Sequence, residues 1–425
     1  MTNSKFHQTV RSNAHSKRLS EGGRWRARYS LQFAMLILLL PCLELSVSQP
    51  SLAQTEQEQE AHNVAISTVE YRGRQPIRVA APHAPNPMSY ATKGASFRRL
   101  QSTADRTIDT TIQTFVIERL ASLIETGYVV PETGQTAVRY LRSSLASGKF
   151  NDIASAIQFA AKLTSELRSV TRDKHIAVYF SPEENASSMS PKSSLAVRER
   201  FNFGFEKIER LSGNIGYLDL RSFADAEAGK ETASAVLSAL ANTDAIIIDL
   251  RQNGGGNTPM VAYIASYFFG LKPVHFTDMF WRDQNRTVEL WTSASVVGPR
   301  SERQPLFILV GPSTFSAAED FAYSLQQLKR ATIVGETTGG GAHMGRGLQR
   351  LSPLFSAFVP TGMSVNPITK TNWEAVGVKP DIRISQDRAL VEAHISALRI
   401  LIERESDRDW QDKLRRTLVE VSGAR

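Results

Sequence analysis

A serine placed where a buried strand hands over to a helix is well sited for acyl transfer, and Ser316 occupies such a place. The stretch Pro312–Ser–Thr–Phe–Ser–Ala–Ala–Glu319 follows the apolar run Leu306–Val310 and opens a helical pattern from Ala317 onward. Backbone N–H groups at a helix start lack intrahelical partners and carry partial positive charge. An oxyanion formed beside Ser316 would meet those donors.

A serine hydroxyl is a poor nucleophile until a base takes its proton. Of the eight histidines, His7 and His15 fall in a basic leader, and His62 and His83 in the polar segment after it. His275 reads as a strand residue and His394 as a packed residue of the last helix, one turn from Leu390 and Leu398. His175, in Thr171–Arg–Asp–Lys–His–Ile–Ala–Val–Tyr179, stands where a helix ends and a strand begins. That rigid edge suits a positioned base, although the same pattern fits a histidine in a surface turn. His343 closes Gly335–Glu–Thr–Thr–Gly–Gly–Gly–Ala–His343. The glycines imply tight bends or close approach to a ligand, and a plain loop histidine is the alternative.

A second glycine cluster, Asp249–Leu–Arg–Gln–Asn–Gly–Gly–Gly256, follows a run of isoleucines and precedes a helical pattern. It has neither the Gly-Lys-Ser/Thr pair of a phosphate loop nor the spacing of a dinucleotide fingerprint. Exposed N–H groups at a strand end suit an oxyanion equally well. No His-x-x-x-His and no Cys/His cluster occurs, so no metal site or cofactor is expected. The frame around Ser313, Gly-Pro-Ser-Thr-Phe, is not the Gly-x-Ser-x-Gly elbow.

The elements that must hold these groups can be read from apolar periodicity. Residues 103–182 show helical spacing (Ile108, Ile112, Val116, Leu120; Leu141, Leu145; Ile153, Ile157, Leu167) and predict a small helical bundle. Residues 183–199, rich in Ser, Pro and Glu, predict an exposed loop. From 200 to 412 the runs Ile215–Leu220, Ala245–Leu250, Leu306–Val310 and Ala331–Val334 read as buried strands alternating with helical stretches. That alternation predicts an α/β domain, followed by a frayed tail at 413–425.

The net charge is +8. Residues 1–53 hold seven Lys/Arg against two acids, 7 − 2 = +5, which leaves 8 − 5 = +3 for the remainder. The basicity is therefore mostly in the leader, and no basic stripe points to nucleic acid. The leader reads as an export signal: a basic start, the apolar run Phe33–Leu40, and small residues at Ser51–Leu–Ala53. Cleavage after Ala53 would yield a periplasmic or extracellular protein without an integral membrane span, because the apolar run is far short of the roughly 20 residues a span needs. The only cysteine, Cys42, lies in that leader, so covalent catalysis in the remainder must use oxygen or nitrogen. Residues 54–102 read as a flexible linker with a short strand at Val64–Tyr71.

Taken together, Asp249–x–Arg–x–Asn–Gly–Gly–Gly256, Ser316–Ala–Ala–Glu319, Ile333–Val–Gly–Glu336 and Gly377–Val–Lys–Pro–Asp381 resemble the S41 peptidase family. Gly127–Tyr–Val–Val–Pro131 and the Asp173–Lys–His175 turn resemble its branch that includes the interphotoreceptor retinoid-binding protein. The resemblance implies a crotonase/ClpP-like core of twisted sheet and helices, and a serine peptidase acting on polypeptides. The lysine base of the carboxy-terminal processing proteases is not carried over, since Gly341 stands at its position. The tricorn-like base is matched by His175, with Glu374 to orient it directly or through water; Lys174 replaces the serine that precedes the tricorn histidine. Ser316 would be the nucleophile, with the N–H of Ala317 and of Gly254 or Gly255 as oxyanion donors. Phe315, Gly340, Gly341 and His343 are the candidate substrate contacts. The retinoid-binding relative implies an alternative, a non-catalytic carrier of a retinoid or fatty acid.

Overall fold

The computed structural model describes residues 104–182 and 191–423. The expected leader, linker and Val64–Tyr71 strand lie outside them. Three helices come first: α1 (Thr110–Gly127), α2 (Pro131–Ala146) and α3 (Ala156–Thr171). Each has a sequence-encoded start. Asp109 caps α1 by accepting from the Ile112 N–H, Pro131 sits in the first turn of α2, and Ser155 caps α3 through the Gln158 N–H. Each buries one stripe, such as Val116, Leu120 and Ile124 in α1 and Phe159, Leu163 and Leu167 in α3.

Arg172, left-handed at φ 58°, ends α3 and turns the chain through Asp173–His175 into β1 (Ala177–Phe180). β1 pairs antiparallel with β11 (Phe355–Phe358), which also pairs with β10 (Gln349–Arg350). Phe355 and Leu351 thereby join the core of the three helices. The edge that carries His175 is thus stitched to the rest of the molecule.

After α4 (Pro191–Arg200) the main sheet begins. Its strands are β2 (Phe205–Leu211), β3 (Ile215–Leu220), β4 (Ala245–Asp249), β7 (Leu306–Val310), β8 (Thr332–Gly335) and β13 (Ile382–Arg383). They lie in the order β13-β8-β7-β4-β3-β2, all parallel except the β2–β3 pair. Helices α5 (Ala226–Leu240), α6 (Thr258–Ala265) and α7 (Ala317–Gln327) cover one face. There Leu237, Ile264 and Phe321 share a core with Ile246, Ile248 and Ile308. α8 (Ala389–Arg404) and α9 (Arg408–Gly423) cover the other, against Ile247, Phe307 and Leu309. Burial on both faces is why these strands read as continuous apolar runs. A smaller antiparallel sheet, β6-β5-β12-β9, is built from β5 (His275–Trp281), β6 (Arg286–Trp291), β9 (His343–Met344) and β12 (Gly362–Val365).

The α/β class is as expected, with two departures. Residues 191–199, expected to be loop, form most of α4. The expected tail, 413–425, is mostly α9, whose Leu414 and Thr417 are buried against α8. Its apolar residues recur every three or four positions in a charged background, a thin stripe that packs only because α8 supplies the other side. Among the described residues, no helix is long and apolar enough to cross a membrane.

Candidate active site

Three loops leave the C-terminal ends of neighbouring strands β4, β7 and β8, the position where open parallel sheets place ligands. They carry the first glycine cluster, Ser316 and the second glycine cluster. Ser316 adopts φ 57°, ψ −123°, a sparsely populated conformation for a non-glycine residue that only strong surroundings maintain. Three hydrogen bonds supply them. The Phe315 N–H donates to Asn253 O (3.0 Å), the Thr314 hydroxyl donates to Leu250 O (2.7 Å), and the Ser316 N–H donates to Glu319 Oε2 (2.8 Å).

Glu319 is the clamp of this turn. It is fully buried and accepts four bonds: from the Ser316, Gly340 and Gly341 N–H groups and from the Thr338 hydroxyl. Burial pushes its carboxyl up to about 7 against the pull of those donors. It is a structural carboxylate joining the Ser316 turn to the second glycine loop. Asp249 and Arg251 have a comparable task, pairing at 2.6 Å while Arg251 reaches Gln386 O.

His175 Nε2 lies 3.1 Å from Ser316 Oγ, across 141 positions of sequence. The His175 ring stacks on Phe315 (centroids 4.5 Å apart), and Gly341 backs both: a Cβ there would fall 2.2 Å from Phe315 and 2.7 Å from His175. Only glycine fits. Burial lowers the His175 pKa to about 4, opposed by the charge of Asp173. The imidazole is thus neutral near pH 7 and able to accept a proton.

The groups behind His175 differ from the sequence expectation. Asp173, fully buried, accepts the His175 N–H at Oδ1 (2.8 Å) and the Tyr128 hydroxyl (3.0 Å) and His343 Nδ1 (2.7 Å) at Oδ2. Its Oδ1 is 3.9 Å from His175 Nδ1. Glu374 does not touch His175 directly. Its Oε2 accepts the N–H groups of Ala342 (2.5 Å) and His343 (3.0 Å). Burial raises its pKa, and the Asp173 charge raises it further. His343, expected to meet substrate, is instead buried in the wall and bonded to Asp173. The reason is β9, whose pairing with β12 turns the residue inward. The sequence signal for Asp173 was available: an Asp two residues before a His can bond that residue's N–H in an Asx turn.

The expected oxyanion donors also sort themselves. The Gly255 N–H is taken by Asn253 Oδ1 (2.8 Å). No hydrogen bond among the described residues uses the N–H of Ala317 or Gly254. Gly255 contributes differently, with φ 104° and its α-carbon so close that a Cβ would lie 3.0 Å from Ala317 N. Gly340 and Gly341 have their N–H groups on Glu319, so they shape the loop rather than offering donors. Two clusters, Asp173–His343–Glu374 and His275–Asp278–Glu289, gather potential metal-binding atoms within 4.8 Å. In each, a carboxylate bonds the imidazole directly, at 2.7 and 2.6 Å, rather than standing apart as donors around an ion do.

Residues 214–384 match the model of peptidase family S41, and residues 108–202 match that of the N-terminal domain of Peptidase_S41 in eukaryotic IRBP. The chain is 29% identical over 188 residues to the chloroplastic carboxyl-terminal-processing peptidase 2 of Arabidopsis thaliana, covering 40% of this chain and 32% of that one. It is 31% identical over 182 residues to a carboxyl-terminal-processing protease of Synechocystis sp., covering 41% and 38%. It therefore spans about a third to two fifths of the length of these curated relatives. Among solved structures, it is similar to the photosystem II D1 C-terminal processing protease (TM-score 0.44, 15% identity, 65% of this chain and 93% of that one) and to the tricorn protease (0.40, 12%, 68% and 37%). The two family models follow one another along the described residues, the first spanning the three helices and His175, the second the glycine loops and Ser316, and on that match the chain belongs to peptidase family S41.

Proposed function

We propose that the protein is a serine peptidase that hydrolyses polypeptides through an acyl-enzyme on Ser316, with His175 as general base. The observation that carries this is the 3.1 Å approach of His175 Nε2 to Ser316 Oγ beside two unclaimed N–H groups. His175 takes the hydroxyl proton as Oγ attacks the peptide carbonyl. The Ala317 and Gly254 N–H groups receive the oxyanion. His175 then gives its proton to the leaving amine, and a water repeats the sequence to free the acyl group. Positioned base catalysis of this kind supplies roughly 10²–10⁴-fold, and an oxyanion donor about 10²–10³.

Asp173 is the carboxylate nearest the imidazolium that forms. His175 Nδ1 and Glu374 Oε1 are both buried without a hydrogen-bond partner among the described residues. One water joining them would satisfy both and give Glu374 its orienting role. A carrier of an apolar ligand would need an apolar chamber. One surface cavity of about 520 Å³ among the described residues mixes Leu401, Trp410 and Leu414 with Asp244, Arg300, Arg303 and Glu405, and is not such a chamber.

The reading is tested by digesting a peptide library with the wild type and with Ser316→Ala. Cleavage confined to the wild type supports it, and equal profiles would overturn it. Export is part of the same proposal. The amino terminus of the mature protein should map just after Ala53, and recovery of the intact leader would remove that part.

A further inference from the structure

His343 is nearly as buried as the residues of the core, yet it is an ionisable side chain held by two carboxylates. Its Nδ1 lies 2.7 Å from Asp173 Oδ2 and 3.9 Å from Glu374 Oε1, and its own N–H is bonded to Glu374 Oε2. The Tyr128 ring meets it edge-on at 6.0 Å. A buried imidazole needs a partner to offset its burial, and here the partner is the carboxylate that also holds the His175 turn. What it holds is the far oxygen of Asp173, whose near oxygen holds the backbone of His175.

We propose that His343 is a positioning residue of the acylation machinery, fixing through Asp173 the orientation of His175 and setting how readily that imidazole takes the Ser316 proton. The inference rests on the peptidase reading of Ser316 and His175, and deepens it.

The orientation follows from counting bonds. Asp173 Oδ2 has two side-chain donors, Tyr128 Oη and His343 Nδ1. Without the second, the carboxylate can swing about the first, and the His175 N–H at Oδ1 moves with it. The electrostatics follow from the groups on every side. Asp173, on the turn after α3, and Glu374, on the loop after β12, face His343. Tyr128, just past α1, faces it with a hydroxyl already committed to Asp173. Burial lowers the His343 pKa, but the Asp173 bond and charge, then the Glu374 charge, outweigh it and hold the pKa above the ordinary histidine value. A cationic His343 neutralises Asp173 and opposes a second positive charge on His175, on which Arg168 of α3 acts in the same sense. Removing the His343 charge frees the full Asp173 charge to favour protonated His175.

The experiment is the rate of Ser316 acylation by a fluorophosphonate probe across pH, with folding checked by circular dichroism. His343→Gln keeps a donor for Asp173 but no charge. Its acid limb should move to higher pH by on the order of half a unit to one unit, with a plateau rate above that of His343→Ala. His343→Ala loses the donor as well and should fall at least about tenfold at every pH. A His343→Gln limb that stays in place, or a uniform loss equal to that of alanine, would mean a purely structural role and overturn the proposal.

If the variants do not fold, the wild type still decides. The NMR signal of His175 Cε1 should show a second inflection at the pH where the His343 signals titrate, and a single inflection sinks the idea. Wild type that labels no better than Ser316→Ala would instead remove the peptidase reading, and the NMR titration would still stand as the test of the coupling.

Discussion

Gly255→Ala puts a single methyl group at the point where the first glycine loop meets the nucleophile turn. A Cβ there would lie 2.8 Å from Phe315 O and Ser316 Cβ and 3.0 Å from Ala317 N. Ordinary contacts begin near 3.4 Å, so the methyl intrudes on the space in front of the Ala317 N–H, where the oxyanion is to sit. The residue also has φ 104°, which an alanine adopts at a cost of roughly 1–3 kcal/mol. Gly347 separates the two effects. It has φ 122° and nothing within 4 Å of its would-be Cβ. Gly347→Ala should therefore lose only the backbone part, roughly 1–3 kcal/mol, and keep its activity. Gly255→Ala should lose a further 1–3 kcal/mol or so from overpacking and about 10²–10³ in kcat, the worth of an oxyanion donor. The assay is steady-state peptide hydrolysis alongside thermal unfolding of both variants. If Gly255→Ala matches Gly347→Ala in kcat, the oxyanion site is misplaced.

Other consequences follow from the same geometry. Asp173→Asn removes the carboxylate beside His175 Nδ1 and the partner of His343, and should slow acylation by about 10²-fold or more, measured by probe labelling; less than a threefold loss would assign orientation elsewhere. Because burial lowers His175 to about 4, the acid limb of kcat/KM should fall well below the ordinary histidine value of about 6.5. A limb at or above that value would contradict the buried, neutral base. Stability should decline as pH rises from 5 to 8. Burial raises Glu319 and Asp320 to about 7, so the folded state binds more protons than the unfolded one between their ordinary values and 7. Stability is then lost on the way up, while His175, with its lowered value, works the other way from about 4 to 6.5. The net loss is on the order of 2–3 kcal/mol. Tm against pH checks the sign, and Asp320→Asn should flatten the curve.

Much of this arrangement is written locally in the sequence. Ile246–Ile247–Ile248 and Leu306–Val310 announce buried parallel strands because both of their faces are covered. The Ser316–Ala–Ala–Glu319 turn and the glycines of both loops mark places where backbone must come close to backbone, and Gly255 and Gly341 are such places. What the sequence hides is pairing at a distance. β9 and β10 are two residues each, too short for a period to show, so nothing local signals that His343 turns inward. Its partner Asp173 lies 170 positions away. Glu374 makes no direct bond to His175, because its Oε2 takes the amides of Ala342, just before β9, and of His343, which opens it. Helix α9 was hidden by its charge, for Leu414 and Thr417 mean little until α8 lies against them.

If the proposed mechanism holds, Ser316 and His175 act as one chemical unit. The direct measurement is intact-protein mass spectrometry after incubation with a fluorophosphonate, on the wild type, Ser316→Ala and His175→Ala. Wild type should carry one adduct, mapped to Ser316, and Ser316→Ala none, with labelling of His175→Ala slowed about 10²-fold or more. Wild type that stays unmodified, or His175→Ala that reacts as fast as wild type, would contradict it.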